Sequence, residues 1–281
     1  MNLRVLGVYR EVEFSPGKTS ADSAIIDAVL GHLRVAGAET TAIDAVRFIS
    51  DPLPDVHMVL AMCQGSEALR RLAAIEESGA VTLNSALAIR NCYRDLLGAG
   101  LMRAGVPVPE GALVRTSTPL DMKQLRTLNL TAPMYVKRGE VHALGPDDVS
   151  RVDGLEQLQE TLVRFSRRGV PLAYVQQEAV GEVVKFYGVG GGAEYFTLIP
   201  GEREIDETAK AGLSHSASIA AEALGLEVWG GDAVVRGEQY SIVDFNDWPS
   251  FERVREGASR AIARRCLRVL RRHPAGRDLA V

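Results

Sequence analysis

Gly231-Asp232-Ala-Val-Val-Arg-Gly237-Glu238-Gln-Tyr-Ser-Ile-Val-Asp244-Phe245-Asn246-Asp247-Trp248-Pro249 is the stretch on which the reading of this chain turns. Apolar runs flank Gly237-Glu238, the pattern of two strands joined by a tight turn. Folding about that turn places Asp232 within one residue of lying opposite Asp244. Asn246, two residues further on, then points to the same face as Asp244. Like charges opposite one another destabilise a sheet, so a positive group is expected between them. Two carboxylates and an amide oxygen are hard donors that suit Mg²⁺ carrying a nucleotide's phosphates. The competing reading pairs each aspartate with one of the chain's many arginines, and the hairpin alone does not separate the two.

The 281 residues are enough to bury a core spread over two or three lobes. A hydrophobic content of 46% and a charged content of 24% are ordinary for a soluble globular protein. The net charge of −4 gives no general attraction to nucleic acid or to an anionic membrane. No apolar run is long enough to span a bilayer, and the N-terminus reads as a first strand, not a signal peptide. Cys63, Cys92 and Cys266 are too few and too scattered for a disulfide framework or a zinc site, so a reducing cytoplasm is the expected compartment. Only five of the 32 basic residues are lysines, which singles out Lys137 and Lys185 inside apolar strands. A lysine is a compact point charge suited to a phosphate oxygen. The ordinary alternative is a strand lysine snorkelling to solvent.

Strands at Leu3–Val8, Thr40–Ala42, Val56–Met62 and Val81–Leu83 alternate with helices over about 20–36 and Ser66–Ser78. That order predicts a small parallel sheet with helices on its faces. A helical stretch follows from Asn84 to Gly105, then strands near 111–114 and 134–138 and a helix near 155–168. Longer β-branched strands begin at Leu172; a helix over about 213–224, the acidic hairpin and an Arg-rich helix over about 251–272 complete the chain. Gly188–Gly192 lies between two strands and predicts a hairpin turn, not a dinucleotide loop.

Pro16-Gly-Lys18-Thr19-Ser20 ends like a phosphate-binding loop but lacks a glycine at position 12, so Thr19 or Ser20 is expected to cap the first long helix. Lys18 and Arg10 stay candidates for contact with an anionic substrate. The turn Met62-Cys63-Gln64-Gly65-Ser66 opens a helix whose start could receive a carboxylate or phosphate. Cys63 reads as a small buried apolar group. His215, at the expected helix start, more often marks a cap region than a catalyst. The arginines of the last helix read as a solvated face.

Four segments, in order, resemble the ATP-grasp superfamily, in which two α+β lobes close on ATP and Mg²⁺. Asn84-Ser-Ala-Leu-Ala-Ile-Arg-Asn with Ala104-Gly-Val-Pro-Val-Pro resembles that family's leading helix and its exit into the small lobe. Met134-Tyr-Val-Lys137 resembles the small-lobe strand whose lysine grips phosphates. Tyr174-Val-Gln-Gln-Glu-Ala-Val-Gly-Glu-Val-Val-Lys185 is similar to the hinge strand. Asp232 with Asp244-Phe-Asn246 resembles the Mg²⁺-coordinating hairpin. Asp244-Phe-Asn-Asp-Trp-Pro is close to the version in inositol tris/tetrakisphosphate kinases, whereas the layout resembles the ribosomal-protein glutamate ligase and glutathione synthetase branches.

The resemblance covers about residues 84–265. It implies an α/β and α+β architecture: an N-terminal α/β domain (1–83), a leading helix and small lobe (84–171), and a large lobe with a C-terminal helix (172–281). It places ATP between the lobes, with Arg94, Lys137 and Lys185 on phosphates and Gln177, Glu178, Ala179 and Val180 around adenine and ribose. The ribose carboxylate is Glu178 or Glu182; Asp232, Asp244 and Asn246 hold Mg²⁺. Asp247-Trp248-Pro249-Ser250 is expected to line the acceptor pocket. The implied activity is a carboxylate–amine ligase acting on a small molecule or peptide through an acylphosphate. Phosphorylation of a small polyol and nucleotide binding without turnover are the alternatives. No nucleic-acid or membrane partner is implied, and a homodimer is left open.

The chain also departs from the family's pattern. Arg94 stands where a lysine is common, and the flap is shortened to Arg138-Gly139-Glu-Val-His142-Ala-Leu-Gly145. The hinge is one residue shorter than in the usual ligases. Gly230 stands where some of them carry an arginine, which leaves Lys185, Lys210 and His215 as candidates to neutralise the transferred phosphoryl group.

Overall fold

The computed structural model describes residues 3–15, 17–201 and 204–272, and its strands form three four-stranded sheets. The first contains β1 (Arg4–Val8), β2 (Glu39–Ile43), β3 (Met58–Ala61) and β4 (Val81–Leu83), all parallel in the order β2-β1-β3-β4. Its crossovers are α1 (Thr19–Val35), α2 (Ala45–Ser50) and α3 (Ser66–Glu77). The helical stretch after Leu83 breaks into α4 (Ala86–Asn91) and α5 (Arg94–Arg103). Tyr93 turns extended between them, and its hydroxyl donates to the Gln64 carbonyl at the edge of the first sheet.

The second sheet is antiparallel and runs β5 (Gly111–Arg115), β8 (Leu172–Gln177), β6 (Met134–Arg138), β7 (Val149–Val152). The short helix α6 (Met122–Thr127) and α7 (Leu155–Arg167) pack on it, the latter through Leu158, Leu162 and Phe165. Leu172–Gln177 therefore belongs with this sheet, whereas the expected boundary at 172 grouped it with the later strands. The third sheet is also antiparallel, in the order β10 (Tyr195–Ile199), β9 (Glu182–Val189), β11 (Val228–Arg236), β12 (Gln239–Asp247). Two helices of 18 residues each, α8 (Glu207–Leu224) and α9 (Arg255–Arg272), accompany it. No helix of the described residues is long and apolar enough to cross a membrane.

Two helix starts differ from expectation. The carboxylate of Asp206 accepts from the backbone N–H of Thr208 and Ala209 at 2.8 and 3.3 Å, so α8 begins well before residue 213. At α1 neither Thr19 nor Ser20 caps; Thr19 is already helical, and the preceding Lys18 makes no side-chain cap.

The first sheet is completed from the far end of the chain. Trp248, Phe251 and, from α9, Ala258, Ile262 and Cys266 are buried in one cluster with Val5, Ile25, Val29, Met58 and Leu60. The Trp248 indole N–H donates to the Leu83 carbonyl at 2.8 Å. Asn84, fully buried, donates to Val228 O at 2.7 Å and accepts from the N–H of Glu227 and Val228 at 2.7 and 2.9 Å. Trp248 and Phe251 adopt φ of +37° and +50°, a region bulky residues avoid, and the burial of their rings holds them there. Trp248→Ala should lower stability by about 3–5 kcal/mol in urea unfolding, through a large cavity and an unpaired Leu83 carbonyl. A loss below about 1 kcal/mol would show that the indole does not hold the two units together.

Candidate functional site

Asp232 lies directly opposite Asp244 in the β11–β12 pairing, and a register shift follows between Asp232 and Ala233. On the other side of β11, Asp232 is opposite Lys185 of β9. Lys185, Asp232 and Asp244 thus form one row across the sheet, and Tyr187, Gly230 and Asn246 form the next row on the same face. Lys185 Nζ donates to Asp232 Oδ1 at 2.7 Å. From the start of α5, the buried guanidinium of Arg94 comes within 3.8 Å of Asp244 Oδ2 and donates to the Arg138 carbonyl at 3.2 Å. Lys137 Nζ donates to Val243 O at 2.9 Å. Cations do neutralise the acidic pair, yet a cleft also opens in front of it.

That cleft is a polar cavity of about 400 Å³, whose walls include Arg94, His142, Lys185, Asp232, Asp244 and Asn246. Burial alone would raise the Asp244 carboxyl, but Arg94, His142 and Lys137 together hold it below its ordinary range. Burial works against the Lys185 charge as well, but the hydrogen bond to Asp232 and the charges of Asp232, Tyr187 and Asp244 together outweigh it, so its pKa rises. For Lys137 burial wins and the pKa falls, despite the nearby Asp244. Burial pushes His142 down to about 4, so it is neutral near pH 7. Both of its ring nitrogens are shut off from water with no partner among the described residues, which favours a ligand that can meet them.

Two carboxylates and an amide oxygen fit a hard dication that takes its remaining ligands from phosphate and water. No group of three or more His, Cys, Asp or Glu residues able to hold a metal occurs among the described residues. A narrow gap shares Arg94 and Asp244 with the polar cavity, and Lys137, Gln176 and Val243 with a second cleft of about 440 Å³ between the second and third sheets. Gln177, Glu178, Ala179 and Val180 line that cleft. Val180 and Val183 present exposed apolar surface to it, suited to a flat ring. The Gln177 amide is engaged by Pro133 O and the Thr131 N–H at 3.1 and 2.9 Å. Arg151 clasps Glu178 at 2.8 and 3.1 Å and holds its carboxyl below the usual range.

Several expected residues fall elsewhere. Glu182 is not on the wall of that cleft; its carboxylate lies beside Gly201, which leaves Glu178 as the acid near the ring pocket. Lys210 is tied to Glu207 within α8, and His215 sits exposed in the middle of the same helix. Neither lines a cavity with the acidic pair, because the earlier start of α8 carries both away from the hairpin. The start of α3 already holds a carboxylate of the chain's own: Glu11 accepts from the N–H of Gln64 and Gly65, both at 2.9 Å. Arg10 braces the structure, donating to Met62 O at 3.2 Å, Asp22 at 3.2 Å and Trp248 O at 2.7 Å. Of Asp247–Ser250, Asp247, Pro249 and Ser250 line the polar cavity, while Trp248 turns into the core. All three cysteines are free and buried, and burial pushes the Cys63 thiol up, as suits an apolar role.

Asp247 accepts from Gln64 Nε2 at 2.8 Å, its other oxygen has no partner among the described residues, and burial raises its pKa to about 6. The folded protein therefore holds this proton more tightly than the unfolded chain does. Stability should fall as pH rises from about 4 to about 6, by about 3 kcal/mol relative to Asp247→Asn. Urea melts of both proteins without Mg²⁺ at the two ends of that window measure the difference; parallel curves would show that Asp247 is not buried as a neutral acid.

No family model matches the chain, and no curated protein matches it. Among solved structures, D-alanine–D-alanine ligase from Bacillus anthracis is similar both in its complex with ATP (TM-score 0.73, 15% identity) and in a second structure (TM-score 0.72, 14% identity). Each likeness covers 95% of this chain and 98% of the other. At that identity the likeness is one of fold: the chain has the ATP-grasp fold.

Proposed function

We propose that the protein is an ATP- and Mg²⁺-dependent carboxylate–amine ligase acting on a small molecule or peptide. The observation that carries this reading is the acidic row of the hairpin opening into a cavity that adjoins the hinge cleft, with a cation from each neighbouring element around it. In this reading adenine lies against Val180 and Val183, the ribose hydroxyls face Glu178, and Arg94 and Lys137 meet the inner phosphates. Lys185 meets the outermost phosphate. Asp232, Asp244 and Asn246 hold Mg²⁺, which supplies neutralisation of the β- and γ-phosphate charge. Phosphoryl transfer depends mainly on positioning and on spreading negative charge, and these residues provide both.

The γ-phosphoryl group passes to a substrate carboxylate oxygen and ADP leaves. An amine then attacks the acyl carbon, phosphate departs, and the amine nitrogen loses a proton. Neutral His142 can donate one hydrogen bond near this centre without adding charge.

Isothermal titration should show Mg²⁺-dependent ATP binding by the parent protein, weakened on the order of 100-fold in Asp244→Ala. Equal binding by the variant would remove the metal assignment. With a reactive acceptor, mass spectrometry should find an amide and released phosphate; a stable phosphorylated polyol would replace the ligase reading with a kinase.

A further inference from the structure

Position 230 has no room for an arginine. A Cβ on Gly230 would lie 2.8 Å from the Phe186 carbonyl oxygen, 2.9 Å from Pro249 Cγ and 3.0 Å from Tyr187 Cδ1. Backbone closes one side and two rings close the other. Any positive charge that holds an acceptor must therefore come from another wall of the polar cavity.

Five basic and five acidic side chains line that cavity. Three of the bases are engaged: Arg10 by Asp22 and two carbonyls, Lys185 by Asp232, and Arg94 by Asp244 and the Arg138 carbonyl. The side chains of the other two, Lys18 and Arg253, make no hydrogen bond or ion pair with any described residue. They come from different parts of the chain. Lys18 precedes α1 beside the first sheet, and Arg253 lies in the turn between Phe251 and α9. Lys18 itself stands at the N-cap of α1 and makes no side-chain cap there.

The segment carrying Lys18 is braced although the lysine itself is exposed. Ser15 Oγ donates to Asp22 at 2.7 Å, Arg10 holds the same carboxylate, and Glu11 is fastened to the start of α3. Two cations without a partner among the described residues match the two oxygens of a carboxylate.

We propose that Lys18 and Arg253 grip a carboxylate of the acceptor that does not itself react, so that the acceptor is an amino acid or a peptide presenting a free carboxylate. The reacting end would lie toward Asp232 and Asp244, and the inference rests on the ligase reading to that extent. The test uses Mg–ATP-dependent phosphate release and amide formation over the common amino acids of both hands, each beside its α-carboxamide. It compares the parent protein with Lys18→Met and Arg253→Met. Turnover is expected with the acids and not with the carboxamides, and each variant should raise the acceptor KM about tenfold or more while the Kd for Mg–ATP stays at the parent value. Both side chains are exposed and unpaired among the described residues, so their truncation leaves the packing described above untouched. Carboxamides that react equally well, variants with the parent KM, or a silent panel from a protein that binds Mg–ATP would each overturn the anchor. Failure of the parent protein to bind Mg–ATP at all would instead overturn the ligase reading beneath it.

Discussion

Two carboxylates face one another across neighbouring strands, and the surrounding structure is arranged to make that tolerable. At the roughly 5 Å that separates directly opposed side chains, their repulsion is on the order of 3 kcal/mol at a near-surface dielectric. Lys185 sits in the same row and bonds Asp232, while Arg94 approaches Asp244 from the other side. Lys137 comes from a different sheet and bonds the residue before Asp244. The cations therefore originate in α5, β6 and β9, and their convergence ties the second sheet to the third at the point where both clefts meet.

The same hairpin is anchored to the first sheet by polar contacts inside an apolar seam. Asn84 takes the place of a neighbouring strand for Glu227 and Val228, the Trp248 indole reaches the end of β4, and Arg10 reaches the backbone of Trp248. Buried polar groups of this kind are expensive unless paired, so they specify one docking arrangement more sharply than apolar contact would. The acidic row is consequently held at a defined distance from the loop that carries Lys18, and the cavity between them has walls from both ends of the chain.

How much of this was legible depended on the range of the interaction involved. The hairpin and β6 could be read because a period-2 pattern and a turn at Gly237-Glu238 are local signals. The facing pair was legible for the same reason. The start of α8 was not, because Glu207–Gly212 lacks an apolar stripe; the usable signal was Asp206 as an N-cap. Six-residue helices such as α2 and α6 are too short to show a period. The allegiance of β8 is set by partners 57 and 41 positions away, pairings that no local pattern encodes: Arg115 faces Leu172, and Tyr135 faces Gln176. The partners of Arg10 and of the α3 start lie some fifty residues away, so both looked open in the sequence when they are in fact occupied.

The seam that joins α9 and Trp248 to α1 and β3 also constrains synthesis. A nascent chain emerges N-terminus first, and the opening parallel sheet then leaves the ribosome with one flank of Ile25, Val29 and Met58 still uncovered. Its cover is translated some two hundred residues later. That sheet must therefore wait, sticky and incomplete, until α9 has been made.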